Sequence, residues 1–192
     1  MPKPCCACAY DNENKLVSYY NYDTADVTGV EGELRMNLNR LWGPLDGFSL
    51  GFNAAYIQSS VPLTKVQQLN RQRFGDYGTT RPLYDQPNYI VNADLTWNLE
   101  ATKTTFTLSG GVVGERLVLV GLAQPDEFAA PSPELNFFVR QRLGKHWDLR
   151  FTAKNLLNPE IQTVQNWPKT GTLVTSSHTE GITFGLSVGC EF

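Results

Sequence analysis

The amino-acid sequence predicts an all-β fold, an antiparallel up-and-down transmembrane β-barrel segment of about seven strands. Three observations support this prediction. Apolar and polar residues alternate with a period of two in many segments, the connections between these segments are long and short in turn, and aromatic residues fall near the segment ends. This combination is typical of outer-membrane barrels, whose strands alternate and whose turns are short on one side only.

The first predicted strand covers residues 24–37 and contains one irregularity. Its alternation runs through Ala25 and Val27, changes parity at Gly29 and resumes on Val30. Because one extra residue turns every later side chain to the opposite face, this change predicts a β-bulge at Gly29.

The six later strands alternate more regularly. Two of them lie at residues 48–59, with FSLGFNAAY, and from residue 89, with YIVNADLTWN. A weaker pattern begins with FTLSGGVVGERL, and LNFFVRQRL and DLRFTAKN follow it. The last strand, GITFGLSVGCEF, has an apolar residue at every even position. Since successive side chains of a strand point to opposite faces, each strand is predicted to have one apolar and one polar face.

The connections between the predicted strands alternate in length. Short ones, LEATK and GKH, separate long ones at about residues 59–88, 119–134 and 161–180. Outer-membrane barrels have short periplasmic turns and long extracellular loops, so we expect the long connections outside the cell. Aromatic residues form two expected interfacial girdles, with Phe48, Trp97, Trp147 and Phe192 at the short-turn end and Tyr56 and Tyr89 at the other.

The parity of each strand predicts what its side chains face. The residues expected to face lipid are Leu50, Leu95, Phe137, Phe151 and Leu186. The residues expected to face the barrel lumen are Asn53, Asp94, Arg140 and Arg150. Carboxylates and guanidinium groups that share a solvated wall need no catalytic explanation. We therefore expect no catalytic residue and no enzyme activity.

Composition and charge exclude several other classes of protein. The chain has 16 Lys and Arg against 19 Asp and Glu, so it lacks the basic stripe that nucleic-acid binding requires. No stretch approaches the roughly 18 consecutive apolar residues of a membrane-spanning helix. The cysteines of CCAC, which are Cys5, Cys6 and Cys8, lack the paired spacing of a zinc site. Neither a metal nor a cofactor is expected.

Residues 1–22 are predicted to be an irregular segment that is not part of the native barrel, which leaves residues 23–192 as the barrel strands. The segment is rich in Asn and Tyr and alternates poorly. Its beginning, MPKPCCACAYDNEN, also lacks the apolar core of an export signal.

Several segments together resemble the last strands of TonB-dependent receptors. In order along the chain they are YDTADVTGVEGELR, FSLGFNAAYIQSSV, RPLYDQPNYIVNADLTW, VVGERLVLVG and, as the most specific, GKHWDLRFTAKNLLNP before the terminal strand. The resemblance implies an outer-membrane transporter that takes up a scarce bulky nutrient, such as a siderophore, cobalamin or a glycan, with energy from the TonB protein. It also implies that the strand ending in Phe192 is the signal read by the barrel assembly machinery.

The predicted sheet is expected to be open rather than closed. TonB-dependent receptors have about 22 strands around a plugged lumen, whereas this sequence contains no recognisable plug, no TonB-contacting segment and fewer strands. Two alternatives stay open at this point. One is a complete small outer-membrane barrel of about eight strands, for which the length suffices. The other is a soluble ligand-binding barrel that keeps its apolar face inward.

The connection at residues 59–88 is the best candidate for a recognition loop. It is polar, contains glycine and is too long for a turn, and long loops over a rigid scaffold commonly carry recognition. Its candidate contacts to a ligand or to a plug are Arg71, Arg73, Tyr77 and Arg81. Protease added to intact cells is expected to cut in this connection.

Overall fold

The computed structural model describes residues 5–11, 16–22, 24–121 and 124–191. Within these ranges the chain forms fourteen β-strands, one α-helix and two short 3-10 helices, at Leu38–Arg40 and Gly43–Leu45. No helix among the described residues is both long and apolar enough to cross a bilayer. The α-helix is α1 (Lys65–Gln72), and the strands are β1 (Cys5–Asp11), β2 (Leu16–Tyr22), β3 (Asp26–Asn37), β4 (Phe48–Pro62), β5 (Thr80–Arg81), β6 (Tyr89–Leu99), β7 (Thr104–Val113), β8 (Arg116–Gly121), β9 (Glu127–Ala129), β10 (Ser132–Leu143), β11 (Trp147–Lys154), β12 (Ile161–Trp167), β13 (Gly171–His178) and β14 (Thr183–Cys190).

The main sheet is an antiparallel meander with the strand order β14-β11-β10-β7-β6-β4-β3, and the short strand β5 pairs with β4 beside it. The seven strands in this order correspond to the seven strands that the alternation predicts. Among the described residues no strand joins β3 to β14, so the sheet is open. The predicted all-β fold, an open antiparallel barrel segment, is therefore confirmed.

The predicted bulge at Gly29 is wrong. Pairing between β3 and β4 runs without a register shift from Asp26 opposite Ser60 to Asn37 opposite Ser49. A Cβ atom at Gly29 would lie 2.8 Å from the backbone oxygen of Tyr56. The glycine is therefore required by close approach of the neighbouring strand and not by an extra residue.

An aromatic row crosses the main sheet near its short-turn end. Phe48 stacks on Trp97 with ring centroids 5.3 Å apart, Trp97 on Phe106 at 5.5 Å, and Phe106 on Phe137 at 6.4 Å. Farther along β4, Tyr56 pairs with Tyr89, the first residue of β6. The aromatic residues thus lie at the predicted ends of the strands, except that Phe192 lies outside the described residues.

Two of the long connections contribute strands to a second, six-stranded sheet with the order β13-β12-β9-β8-β1-β2, whereas the connection at residues 59–88 contains α1 and β5, which pairs with β4. We call the described residues of 59–88, 114–131 and 159–180 the distal layer. It contains most of the buried apolar side chains: Val61, Leu63, Leu117, Val120 and Val164. The long connections thus contain strands and a helix that the sequence analysis does not predict. Their strands are short, and two of the pairings, β9 with β12 and β1 with β8, join segments distant in sequence, which alternation alone does not reveal.

The N-terminal segment takes part in this second sheet. Strands β1 and β2 form an antiparallel hairpin, and β1 pairs in parallel with β8 through Ala9 opposite Val120. The segment therefore has regular pairing where the sequence predicts none. The division of the chain at residue 22 stays a prediction.

Candidate functional site

The strand register places the predicted lumen residues together on one face of the main sheet, which we call the polar face. Asp94 pairs with Gly51, and Arg140 pairs directly with Arg150. Asn53 pairs with Asn92, whose side-chain Nδ2 donates to Asn53 Oδ1 at 2.9 Å. That the polar face borders a lumen stays a prediction.

Gly51 makes room for the Asp94 side chain on the polar face. A Cβ atom at position 51 would overlap the Asp94 carboxylate. The strand FSLGFNAAY therefore has a glycine at this polar-face position because the Asp94 carboxylate of the neighbouring strand occupies the space that a side chain would need. The carboxylate stays on the polar face without any backbone distortion.

Charge on the polar face is divided between its two halves. The half formed by β3, β4 and β6 has three carboxylates and one guanidinium, namely Glu31, Glu33, Asp94 and Arg35. The half formed by β10 and β11 has four cations and two carboxylates, namely Arg140, Arg142, Arg150, Lys154, Glu134 and Asp148. Exposed ion pairs at 2.6 Å join Arg35 to Glu33 and Arg140 to Asp148. The face is acidic at one side and basic at the other.

The opposite face of the main sheet is apolar and largely uncovered. Leu50, Leu95, Phe137, Phe151 and Leu186 all lie on it, as the register of the five strands requires. Leu95 is 38% exposed, Phe151 is 37% and Leu186 is 69%. An apolar face of this extent needs a partner or a lipid environment.

The four predicted ligand contacts differ in accessibility. Arg71 lies inside the distal layer, where it pairs with Asp126 and, at 3.0 Å, with Asp76. Arg81 is buried, at 3% exposure. Arg73 is exposed, and Tyr77 is 75% exposed. Two of the four side chains are therefore accessible to a ligand, and the other two are part of the layer itself.

Asp126 joins two connections of the distal layer. Its carboxylate accepts a hydrogen bond from the backbone N–H of Gly121 at 3.0 Å. It also forms an ion pair with Arg71, which lies in α1, in the connection after β4. Burial raises the pKa of Asp126 above its ordinary value, and this outweighs the opposing effects of Arg71 and the Gly121 N–H. The carboxylate is thus a buried charge held by a specific partner.

Helix α1 positions Arg71 for this contact. Thr64 caps the helix: its hydroxyl accepts from the backbone N–H of Gln67, whose side chain accepts from the Thr64 N–H at 3.0 Å. This capping box satisfies two N–H groups that would otherwise lack partners. Sequence reasoning missed the helix, although the pattern TKVQ contains its start signal.

Sequence reasoning also missed the structural role of two asparagines. Asn155 and Asn158 have φ angles of 57° and 42°, in the left-handed region. The Asn155 backbone N–H donates to Asn136 Oδ1 at 3.0 Å, and its side chain donates to the Gly181 carbonyl at 2.9 Å. Asn158 Oδ1 in turn accepts from the Gly181 N–H at 2.9 Å. The segment NLLN thus ties β10, β11 and β14 together.

Other predicted features give no second site. Among the described residues no group of three His, Cys, Asp or Glu side chains could hold a metal ion. His146 Nδ1 lies 2.9 Å from the Glu191 carbonyl oxygen, at the short-turn end. Cys5, Cys6 and Cys8 belong to β1, whose side chains the structure does not describe. The assembly signal at Phe192 lies outside the described residues and stays a prediction.

Comparison with known proteins agrees with this geometry. The family model described as TonB dependent receptor-like, beta-barrel matches residues 3–156, which is most of the chain. Searches of curated proteins and of solved structures found no match. The match extends from the N-terminal hairpin through β11 and ends within the NLLN segment. The chain therefore belongs to the TonB-dependent receptor-like β-barrel family, a family of outer-membrane transport receptors.

Proposed function

We propose that this chain forms the C-terminal barrel part of a TonB-dependent receptor in the bacterial outer membrane, where it helps to take up a scarce bulky nutrient such as a siderophore, cobalamin or a glycan. Family membership supports the general function. The identity of the nutrient, the membrane location of this chain and its partners are parts of the proposal.

The observation that supports the proposal best is the contrast between the two faces of the main sheet. One face exposes large apolar side chains, and the other has charged and amide groups joined by hydrogen bonds across strands. A soluble sheet packs its apolar face inward, whereas a membrane barrel turns that face to lipid and its polar face to the lumen. Outer-membrane lipid is therefore the proposed partner of the apolar face.

The free edges of β3 and β14 support a larger assembly. Each unpaired backbone group costs several kcal/mol in lipid, so an open sheet does not persist in a membrane. We infer that further strands close the barrel and that a plug contacts the polar face. The TonB protein would act through parts outside this chain, and the barrel assembly machinery would read the terminal strand.

Two observations count against the alternatives. A complete eight-stranded barrel needs a strand between β3 and β14, but the strand nearest in sequence, β2, pairs with β1 in the second sheet. A soluble ligand-binding barrel needs an enclosed apolar interior, but Leu95, Phe151 and Leu186 are exposed.

Within the distal layer we propose Arg73 and Tyr77 as direct ligand contacts. Both side chains are accessible. Arg73 caps the C-terminal end of α1 and Tyr77 follows it, and the ion pair between Arg71 and Asp126 fixes the position of this helix. Arg71 and Arg81 then act by positioning the layer, because both are largely buried.

The proposal is tested by membrane fractionation and transport. Density-gradient separation should place the protein with the outer membrane, and the growth advantage that it confers on the limiting nutrient should disappear when TonB is deleted. Recovery of the protein in the soluble fraction, or growth that does not depend on TonB, would contradict the proposal.

A further inference from the structure

The part of the polar face formed by β10 and β11, which we call the basic half, contains a direct pair of arginines. Arg140 of β10 is the register partner of Arg150 of β11, so both side chains leave the same face of the sheet side by side. Like charges directly opposite each other on neighbouring strands are destabilising. The basic half therefore contains a repulsive contact that needs a counter-charge.

The carboxylates of β10 and β11 supply too little counter-charge. Asp148 Oδ2 accepts from Arg140 Nε at 2.6 Å, and Glu134 Oε1 accepts from the Asn136 side chain at 2.9 Å. Within the described part of the chain, three cations of the basic half have no ion pair: Arg142, Arg150 and Lys154. All three are exposed on the polar face.

The strands on either side of the basic half add no charge beside these cations. On β14, the polar-face residues that the register places opposite β11 are Gly185, Ser187 and Gly189, and Ser187 lies directly opposite Arg150. On β7, Thr105 lies directly opposite Arg140. These neighbours are short and uncharged, so they leave the cations accessible from the polar side of the sheet.

The extent of the basic half selects between kinds of anion. Arg142 lies opposite Asp148, and Lys154 is six residues farther along β11, which is about 20 Å at roughly 3.3 Å per residue. A small inorganic anion can compensate only one of these cations. An extended peptide with several carboxylates can compensate them all.

An aromatic ring lies among the cations. The register places Phe138 on the polar face, opposite Thr152 of β11 and two residues from Arg140, and the ring is half-buried. Aromatic and arginine side chains are both enriched where one protein surface packs on another. The combination favours a polypeptide partner with an apolar side chain between its carboxylates.

The repulsion between Arg140 and Arg150 also distinguishes a resident partner from a passing one. It acts in the empty receptor as well as in the loaded one, because both arginines belong to the sheet itself. A nutrient that passes through and leaves does not offset it permanently. The counter-charge therefore belongs to the receptor.

We propose that the basic half is the docking surface for an acidic, extended segment of the plug. The inference rests on the proposed function and specifies which part of the sheet the plug contacts and with what chemistry. Carboxylates of the segment pair with Arg142, Arg150 and Lys154, and an apolar side chain packs on Phe138.

Heat unfolding tests the proposal by the sign of one effect, in receptor purified in detergent from the outer membranes of the bacterium that makes it. Arg150→Gln removes the repulsion from Arg140 and, with the acidic segment in place, an ion pair as well. We expect its Tm to fall by several degrees and that of Arg150→Lys, which keeps the charge, to fall less. A Tm of Arg150→Gln that is unchanged or higher would overturn the proposal, because relief of repulsion would then be the main effect. Lys145→Gln, which removes an exposed cation from the turn between the same strands, is the matched control and should leave the Tm unchanged.

Photo-cross-linking identifies the partner. A benzophenone side chain in place of Ser187, opposite Arg150, should cross-link to a plug peptide that contains Asp or Glu, and mass spectrometry identifies the peptide. The same group in place of Leu186, on the apolar face, is the matched control and should cross-link to lipid or detergent and to no peptide. If the group at position 187 keeps the protein out of the outer membrane, position 152 on the same face takes its place.

The outcomes separate this proposal from the proposed function. Position 187 might as a matter of chemistry give no cross-linked peptide, a peptide without carboxylates or a peptide of another protein, while position 186 reaches lipid. Each of these results would overturn the docking surface and leave the proposed function intact. Lipid cross-linked at position 187 and peptide at position 186 would mean that the faces are reversed, which would overturn both.

Discussion

The side-chain Nδ2 of Asn155 donates a hydrogen bond to the backbone carbonyl of Gly181 at 2.9 Å and thereby ties the end of β11 to the residues just before β14. These residues are separated by the whole β12 and β13 hairpin. The terminal strand is thus fixed at its distal end by a contact that skips the distal layer.

Asn155→Ala should destabilise this corner by about 2 kcal/mol for two reasons. It removes the side-chain hydrogen bond, and it places alanine in the left-handed region, which alanine tolerates less well than asparagine. Asn155→Gly is the matched variant, since it loses the same hydrogen bond and adopts a positive φ without strain. Urea unfolding in detergent should rank wild type above Gly and Gly above Ala. Equal stability of the two variants would show that backbone strain has no part.

The two faces of the main sheet should respond differently to arginine. Leu95→Arg places a charge on the apolar face and should cost about 2 to 4 kcal/mol in a bilayer, whereas Asn53→Arg on the polar face should cost much less. Folding into lipid vesicles at increasing urea concentrations measures both. A larger cost at position 53 would mean that the faces are reversed.

Arg71→Met should loosen the distal layer, because it leaves the Asp126 carboxylate buried and unpaired. Loss of one partner of a buried ion pair costs about 3 to 5 kcal/mol. The double variant Arg71→Met with Asp126→Asn should recover most of the loss, since Asn keeps an oxygen for the Gly121 N–H. Hydrogen exchange at β8 and β9 measures the effect, and failure of the double variant to recover would show that Arg71 acts by packing alone.

The stability of the distal layer should fall as pH rises. The pKa of Asp126 is raised in the folded state above its ordinary value of 3.8. Because the folded state holds this proton more tightly than the unfolded state, protonation of Asp126 stabilises the folded state. This stabilisation is complete below the unfolded-state pKa and is lost as pH rises through the folded-state pKa. Unfolding followed in a variant that keeps Trp167 as its only tryptophan should show this fall, and Asp126→Asn should abolish it. An unchanged pH profile in Asp126→Asn would assign the effect to another group.

Trypsin added to intact cells should cut at the tip of the β12 and β13 hairpin and after the exposed Arg73, but not after Arg71. Lys169 lies exposed between these strands, whereas the Arg71 side chain is only 11% exposed. Mass spectrometry of the released peptides locates the cuts, and Lys169→Gln should remove the cut at the hairpin tip. Early cleavage after Arg71 would mean that the layer is open.

Alternation predicts the strands of the main sheet because one face of the sheet is apolar and the other is polar, so apolar and polar residues alternate along each strand. It fails at the edge of the distal layer, where FTLSGGVVGERL is predicted as one strand but β7 ends at Val113 and β8 begins at Arg116. Short strands such as β9 have too few residues to show a period. Arg71 and Asp126 are 55 residues apart, and nothing local in either segment indicates that they meet.

The position of the buried core has a calorimetric consequence. Heat-capacity change on unfolding comes mainly from apolar surface that becomes hydrated. We expect detergent to cover the apolar face of the main sheet before and after its strands separate, whereas Val61, Leu117 and Val120 leave a protein interior for water. Calorimetry of the protein in micelles should therefore show a transition of the distal layer with a large positive change in heat capacity. Unfolding of the main sheet should absorb heat with little change in heat capacity.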